Sequence, residues 1–409
     1  MTQKERIARF ERLGLGLFVH FGVFSVPESG EWYQAASKES AAEYARHLEH
    51  FFPKKDWAED IAAFAAHNGF RYAVLTTRHH DGFSLYDTHG LSDFDATHLR
   101  EPRDLVREFV EACRAHGLVP FFYHTLIDWR EEPRFDRFSD YLAYLRSGVR
   151  LLCTEYGEIG GFWFDGQWKY RDRDWELDAL YGMLRQHQPD AMIVNNSGLN
   201  DLGAKTHPEL DAVTFERADM TGFDCEKAAG RWSAEMCQSL NSHWGYARND
   251  ISYRSVGELL DSLCLCRARH GNFLLNIGPE PDGSIREIDH ALIGLLGQWV
   301  RTNAEALYDA LPFPGSVQEG AFALRRGNTL YVFFSNVPME IDPNAGRFAA
   351  NRAVFRFPMD VRSAVWLDNG EEAALQRDAE GVSLRPAPFR YGTSLLTRVA
   401  RCELQESAE

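Results

Sequence analysis

Over roughly the first three hundred residues, stretches with apolar side chains every three or four positions alternate with short runs that are apolar throughout. The first period predicts helices and the second predicts strands buried on both faces. Asp56 to His67 reads as a helix with Trp57, Ile61 and Phe64 on one face, closed by Asn68-Gly69 and followed by the strand Tyr72 to Thr76. The unit returns as helix Arg103 to His116 with strand Leu118 to Tyr123, and as a helix near Asp140 to Thr154 with strand Gly161 to Phe164. It returns again as a helix near Trp175 to His187 with strand Ala191 to Val194. Leu15 to Phe21, Ala212 to Phe215, a run near Gln238 to Tyr246 and Asn272 to Ile277 bring the total to about eight strands. Helix-separated strands of this kind form a parallel sheet covered on both sides, and eight of them suit a (β/α)8 barrel, an α/β fold.

The rhythm changes after a helix near Ile288 to Ala306. Pro312, Pro314 and Gly315 punctuate the chain, and Leu330 to Phe334, Ala353 to Phe357, Ala364 to Leu367 and Ser394 to Thr397 read as strands without intervening helices. The expected organisation is a barrel over residues 1–311 and a C-terminal β-sandwich over residues 312–409.

The carboxyl ends of barrel strands carry the active site in this architecture. Here those ends present His20, His79 and His80, Tyr123, Asp165, Asn195, Glu216 and Asn276. Two carboxylates among imidazoles and aromatic rings are the equipment for glycoside hydrolysis: one attacks or stabilises the anomeric carbon, and the other protonates the leaving oxygen. Asp165 before Gly166 fits a helix N-cap equally well, and spacing leaves both readings open. His79-His80-Asp81 suggests a metal site, but neighbouring side chains on a strand point to opposite faces, so no metal is expected.

Composition narrows the partners. The chain has 409 residues with 44 Lys and Arg against 60 Asp and Glu, a net charge of −16, which excludes a polyanion-binding surface and with it nucleic acid. Its 28 Phe, 10 Trp and 15 Tyr suit sugars, whose C–H faces stack on rings. No stretch resembles a signal peptide or a membrane span, so a cytoplasmic protein is expected. The seven cysteines lack a C-x-x-C pair, and Cys264 and Cys266 read as buried thiols. Gly14-x-Gly16 is incomplete as a dinucleotide fingerprint and no P-loop occurs, so no cofactor is expected.

Six segments then occur in the order of one known family. They are Leu17-Phe18-Val19-His20-Phe21-Gly22, Glu31-Trp32-Tyr33, Arg78-His79-His80-Asp81-Gly82-Phe83, Gly161-Phe162-Trp163-Phe164-Asp165-Gly166, His243-Trp244-Gly245-Tyr246 and Gly271-Asn272-Phe273-Leu274-Leu275-Asn276-Ile277-Gly278-Pro279. On these segments the chain resembles the α-L-fucosidases of glycoside hydrolase family 29. The resemblance implies a barrel followed by a β-sandwich and retaining, metal-free hydrolysis of a fucosylated oligosaccharide or glycoconjugate. It also implies that Asp165 is the nucleophile, and that His20, Glu31, Trp32, His79, His80, Tyr123 and Trp163 line the sugar pocket. Glu216 resembles the acid/base of several members. Glu235 is the rival, with Ala234 where a Trp often stands. Ser197 follows Asn195-Asn196 where many members have an Arg, so a cationic sugar contact is either absent or supplied by Arg217. The alternatives are a catalytically silent fucose-binding lectin on this scaffold, or a glycosidase or transfucosylase for a related sugar. The sequence is also compatible with a homo-oligomer.

Overall fold

The computed structural model describes residues 1–340 and 353–405, so residues 341–352 and 406–409 of the expected C-terminal unit lie outside the described residues. Eight parallel strands close into a barrel: β1 Leu15–Val19, β2 Tyr72–Arg78, β3 Val119–Thr125, β4 Gly161–Asp165, β5 Met192–Asn195, β6 Ala212–Glu216, β7 Ser233–Ser239 and β8 Gly271–Ile277. The seam is β1 on β8, in a register that sets Phe18 beside Asn276. Strand residues alternate between the barrel interior and the surrounding helices. The interior is filled by Phe18, Tyr72, Val74, Phe121, Tyr123, Trp163, Met192, Val194, Ala212, Cys237 and Leu274, with Phe10 of the N-terminal helix packed in beside them. The alternate positions join the main core between strands and helices.

The helices form where the 3.6-residue period places them: Trp57–His67, Leu105–Ala115, Phe138–Thr154, Leu177–His187 and Val256–Ala268. Asp104 caps the second of these through the Arg107 N–H, and Ser255 with Glu258 forms a capping box on the last, which satisfies end N–H groups that the helix leaves open. The final predicted helix is interrupted at Asn303, giving Glu287–Thr302 and Ala304–Leu307.

The seventh strand departs from expectation. It occupies Ser233–Ser239 rather than a run near Gln238 to Tyr246, because its polar residues break the apolar run that marks the other strands. The segment expected as a strand at Ser394 to Thr397 has no strand pairing; the strand begins at Arg398.

Beyond the barrel come β9 Val317–Gln318, β10 Ala321–Arg326, β11 Thr329–Phe334, β12 Phe355–Arg356, β13 Val361–Trp366, β14 Leu375–Asp378, β15 Gly381–Leu384 and β16 Arg398–Leu404. They form an antiparallel sheet in the order β13-β16-β11-β10-β9 and a second in the order β12-β15-β14. The period of two along β11 explains their use. Leu330, Val332 and Phe334 face the sandwich core, while Tyr331 and Phe333 join the barrel's helical core. Trp299 adds a polar tie, its indole N–H donating to the Thr397 carbonyl at 2.8 Å.

Candidate active site

The two carboxylates of the strand-end reading meet at the barrel mouth. Asp165 ends β4 and Glu216 ends β6. Gly166 follows Asp165 at φ 97°, a conformation that costs glycine little, and a Cβ there would meet Ile127 at 2.9 Å. This turn brings Trp168 back over the carboxylate, where its indole N–H donates to Asp165 Oδ1 at 2.8 Å. Tyr123 donates its hydroxyl to Oδ2 at 2.9 Å, and His80 Nε2 lies 3.4 Å from the same oxygen. Burial alone pushes the Asp165 carboxyl up. The hydrogen bond and charge of His80, with Trp168 and Tyr123, outweigh it and hold the group at about 2.

Glu216 is shifted the other way. Burial and the negative charge of Asp165 raise it above the ordinary glutamate range, against the pull of Asn196 and Arg217. Asn196 links the pair: its side-chain nitrogen donates to Asp165 Oδ1 at 3.1 Å and to Glu216 Oε2 at 2.8 Å. Its amide is oriented by Thr214, which donates to its oxygen at 2.9 Å, and by the Gly198 N–H at 3.2 Å. Two oxygens held by one nitrogen at these distances stand no more than about 6 Å apart. One carboxyl held ionised and one biased toward its protonated form therefore stand side by side, as acid/base-assisted displacement needs.

The imidazoles surround this pair. His20 directs Nδ1 at Asn276 Oδ1, 2.6 Å away, and the Asn276 amide nitrogen donates to the Trp244 carbonyl at 2.7 Å. The amide is thus fixed with its oxygen toward the ring, Nδ1 carries the proton and Nε2 is left as an acceptor. Burial lowers His20 to about 3 and lowers His79 well below the ordinary value, so both rings are neutral. His79 stacks on Tyr123 with centroids 5.4 Å apart, and its Nδ1 is buried without a hydrogen-bond partner among the described residues. The two adjacent histidines do not point to opposite faces: β2 ends at Arg78, the chain turns, and both rings line one recess, 4.3 Å apart. Asp81 is not with them. It accepts from the Tyr44 hydroxyl at 2.9 Å and from the Phe83 N–H, and burial raises it to about 7. Among the described residues no three His, Cys, Asp or Glu side chains converge as a metal-binding set.

The recess, about 50 Å³, is lined by Phe18, His20, Trp32, His79, His80, Tyr123, Trp163, Asp165, Trp168, Asn196, Glu216, Cys237 and Trp244. It opens into an outer chamber of about 670 Å³, and the two share Trp32, Trp168, Glu216 and Trp244. Eight of the nine residues expected at the site, Glu216 among them, therefore meet in the recess. Glu31 lines the outer chamber instead, where one carboxylate oxygen accepts the N–H groups of Trp244 and Gly245 at 3.0 and 2.8 Å.

Glu235, the rival carboxylate, lies in the middle of β7, 1% exposed, and lines neither recess nor chamber. Its oxygens accept from the Tyr72 hydroxyl and from the Trp163 indole at 2.8 Å, and burial raises it to about 7. Asn196, Trp168 and Trp244 are site residues that the strand-end argument did not single out. The signal for Asn196 was its neighbour: Asn195 is the last residue of β5 but turns outward to Gln167 and Tyr181, leaving the next residue to face the recess.

Comparison with known proteins agrees with this geometry. The model of the family described as α-L-fucosidase matches residues 1–305. The chain belongs to the α-L-fucosidase family. It is 29% identical to the tissue α-L-fucosidase of Mus musculus over 338 residues, covering 74% of this chain and 72% of that one. It is similar to α-L-fucosidase isoenzyme 1 of Paenibacillus thiaminolyticus, 27% identical with a TM-score of 0.81 over 99% and 100% of the two chains. It shares the fold of a family 29 α-L-fucosidase from Bacteroides thetaiotaomicron solved as a trapped covalent intermediate, with a TM-score of 0.83, 22% identity and coverage of 99% and 97%.

Proposed function

We propose that the protein hydrolyses terminal α-L-fucosides of oligosaccharides or glycoconjugates with net retention, Asp165 acting as nucleophile and Glu216 as acid/base. The observation that carries this reading is Asn196 bridging both carboxylates. Their facing oxygens, Asp165 Oδ1 and Glu216 Oε2, stand no more than about 6 Å apart, closer to the ~5–5.5 Å of retaining enzymes than to the ~6.5–9.5 Å that leaves room for an inverting water. Family membership supports the substrate, and the covalent intermediate of the Bacteroides relative supports double displacement.

In the first step the ionised Asp165 attacks the anomeric carbon, the glycosidic C–O bond breaks, and Glu216 gives its proton to the leaving oxygen. In the second, Glu216 takes a proton from water, whose oxygen displaces Asp165 and releases fucose. His20 offers Nε2 to a sugar hydroxyl, and the neutral His79, with His80, supplies further polar contacts. Trp32 and Trp163 supply apolar walls, and Tyr123 orients the nucleophile through its hydrogen bond to Asp165. Glu31 acts through the Trp244 loop that it anchors. Within this reading the barrel unit ends near residue 311, where the backbone enters antiparallel pairing with Arg325. Seven free thiols favour a reducing compartment. No helix among the described residues is long and apolar enough to cross a membrane.

The test is proton NMR of 4-nitrophenyl α-L-fucoside hydrolysis. The reading requires α-fucose to appear first and mutarotate afterwards; β-fucose as first product, or no turnover, sinks it.

A further inference from the structure

Arg217, directly after Glu216, is held in the left-handed region at φ 51°, which costs a non-glycine residue about 1 kcal/mol and is kept only where the surroundings enforce it. Its backbone N–H is tied to the Cys237 carbonyl at 2.9 Å. The turn lays the guanidinium over the Trp244 ring, 4.8 Å from its centroid, at the wall of the outer chamber. There it has neither a carboxylate within 4.0 Å nor a hydrogen-bond acceptor among the described residues, and its Nε is buried and unpaired. This is unusual in a chain with sixteen more acids than bases.

The other charged groups of the chamber are already engaged. Arg171 pairs with Asp201, His243 Nδ1 with Asp250 at 2.7 Å, and Glu31 with two backbone N–H groups. Glu216 is held by Asn196. One planar fork of donors is left unused beside the acid/base, on the side from which a leaving group departs. A guanidinium fork matches the paired oxygens of a carboxylate or sulfate.

We propose that Arg217 makes the outer chamber a subsite for an acidic leaving group, so that the preferred substrates are fucosides whose first aglycone sugar carries a sulfate or carboxylate. The proposal rests on the fucosidase reading and names its substrate class. It is also consistent with the chemistry: Arg217 pulls Glu216 toward ionisation, and an anion paired with Arg217 cancels that pull, keeping the acid protonated when the leaving oxygen needs its proton.

The experiment compares kcat/KM for α-L-fucosyl-N-acetylglucosamine with its 6-O-sulfate, and for α-L-fucosyl-glucose with α-L-fucosyl-glucuronate. Each pair is matched in linkage, and 4-nitrophenyl α-L-fucoside serves as the check on basal activity. The wild type is expected to favour at least one acidic member by about tenfold or more, as a desolvated charged hydrogen bond allows, and the stronger arm tells sulfate from carboxylate. The preference should shrink as salt rises, fall to about one in Arg217→Gln and survive in part in Arg217→Lys. Because the ratio is taken within each variant, a general loss of activity leaves it readable. A wild-type ratio near or below one in both pairs, or a preference that persists in Arg217→Gln, overturns the proposal. Absence of turnover on the 4-nitrophenyl fucoside refutes the underlying fucosidase reading instead.

Discussion

The mouth of the barrel holds a half-buried glutamate and its interior a fully buried one, and the contrast between them shows what makes a carboxyl group usable. Glu216, at the mouth, keeps one wall open to a chamber and has Asp165 within about 6 Å. Its elevated pKa owes something to the Asp165 charge, which the proposed first step would remove, and the proposed change of role between the two steps rests on that. Glu235 is raised by burial alone, to about 7, and both its oxygens are committed to Tyr72 and Trp163. A perturbed pKa is common to both sites, but only the first has a partner charge and an opening. The interior glutamate instead holds Trp163, which stacks on Tyr123 at 5.7 Å, which in turn donates to Asp165.

Removing the proposed nucleophile should have the largest effect. Asp165→Asn is expected to cut kcat on 4-nitrophenyl α-L-fucoside by about 10⁴-fold or more, with a melting temperature close to wild type. If activity survives within tenfold, Asp165 belongs with the supporting residues and the comparison loses its mouth.

Next is Glu216→Gln. Loss of a general acid costs about 10²–10⁴-fold, most for leaving groups that depart poorly without a proton, so natural oligosaccharides should suffer more than the nitrophenyl substrate. Azide should restore turnover on the activated substrate as the fucosyl azide. Rescue of Glu235→Gln in place of Glu216→Gln would reverse the two assignments.

What could be read from the chain follows the same division. Strand ends such as Asp165 and Glu216 were legible because an apolar run that stops at a charged residue fixes both the strand and the face of the barrel on which it ends. Glu235 was misleading for the converse reason. Its strand, Ser233–Ser239, mixes polar and apolar residues because a barrel interior accepts polar side chains that find partners there, and the partners Tyr72 and Trp163 lie 163 and 72 residues away in sequence. Asn196 and Trp168 needed coordinates, since bridging two carboxylates is a property of distance. The sandwich was legible as a class, but the apolar pair Leu395-Leu396 is not a strand: Leu395 packs from a loop against both cores and Leu396 is exposed.

The smallest effect on turnover is expected from Glu235→Gln, and it separates the two glutamates most cleanly. The amide cannot accept from both donors in the same geometry, so one buried donor loses its partner, at about 1–3 kcal/mol of stability. Turnover should fall about tenfold or less through the loosened Trp163 wall, without azide rescue. The pH dependence fixes the cause. With a folded pKa of about 7 against 4.5 for the unfolded chain, Glu235 binds its proton more tightly in the native state, so its contribution is fully present below about pH 4.5 and is lost as pH rises through 7. Wild-type melting temperature should therefore decline across that window. Glu235→Gln, which carries no titrating proton there, should flatten part of the decline, leaving the shares due to Asp81 and Asp289, raised by burial to about 7 and about 6. A decline of unchanged slope in Glu235→Gln would mean that the interior carboxyl is not the group held protonated, and the contrast with Glu216 would then rest on geometry alone.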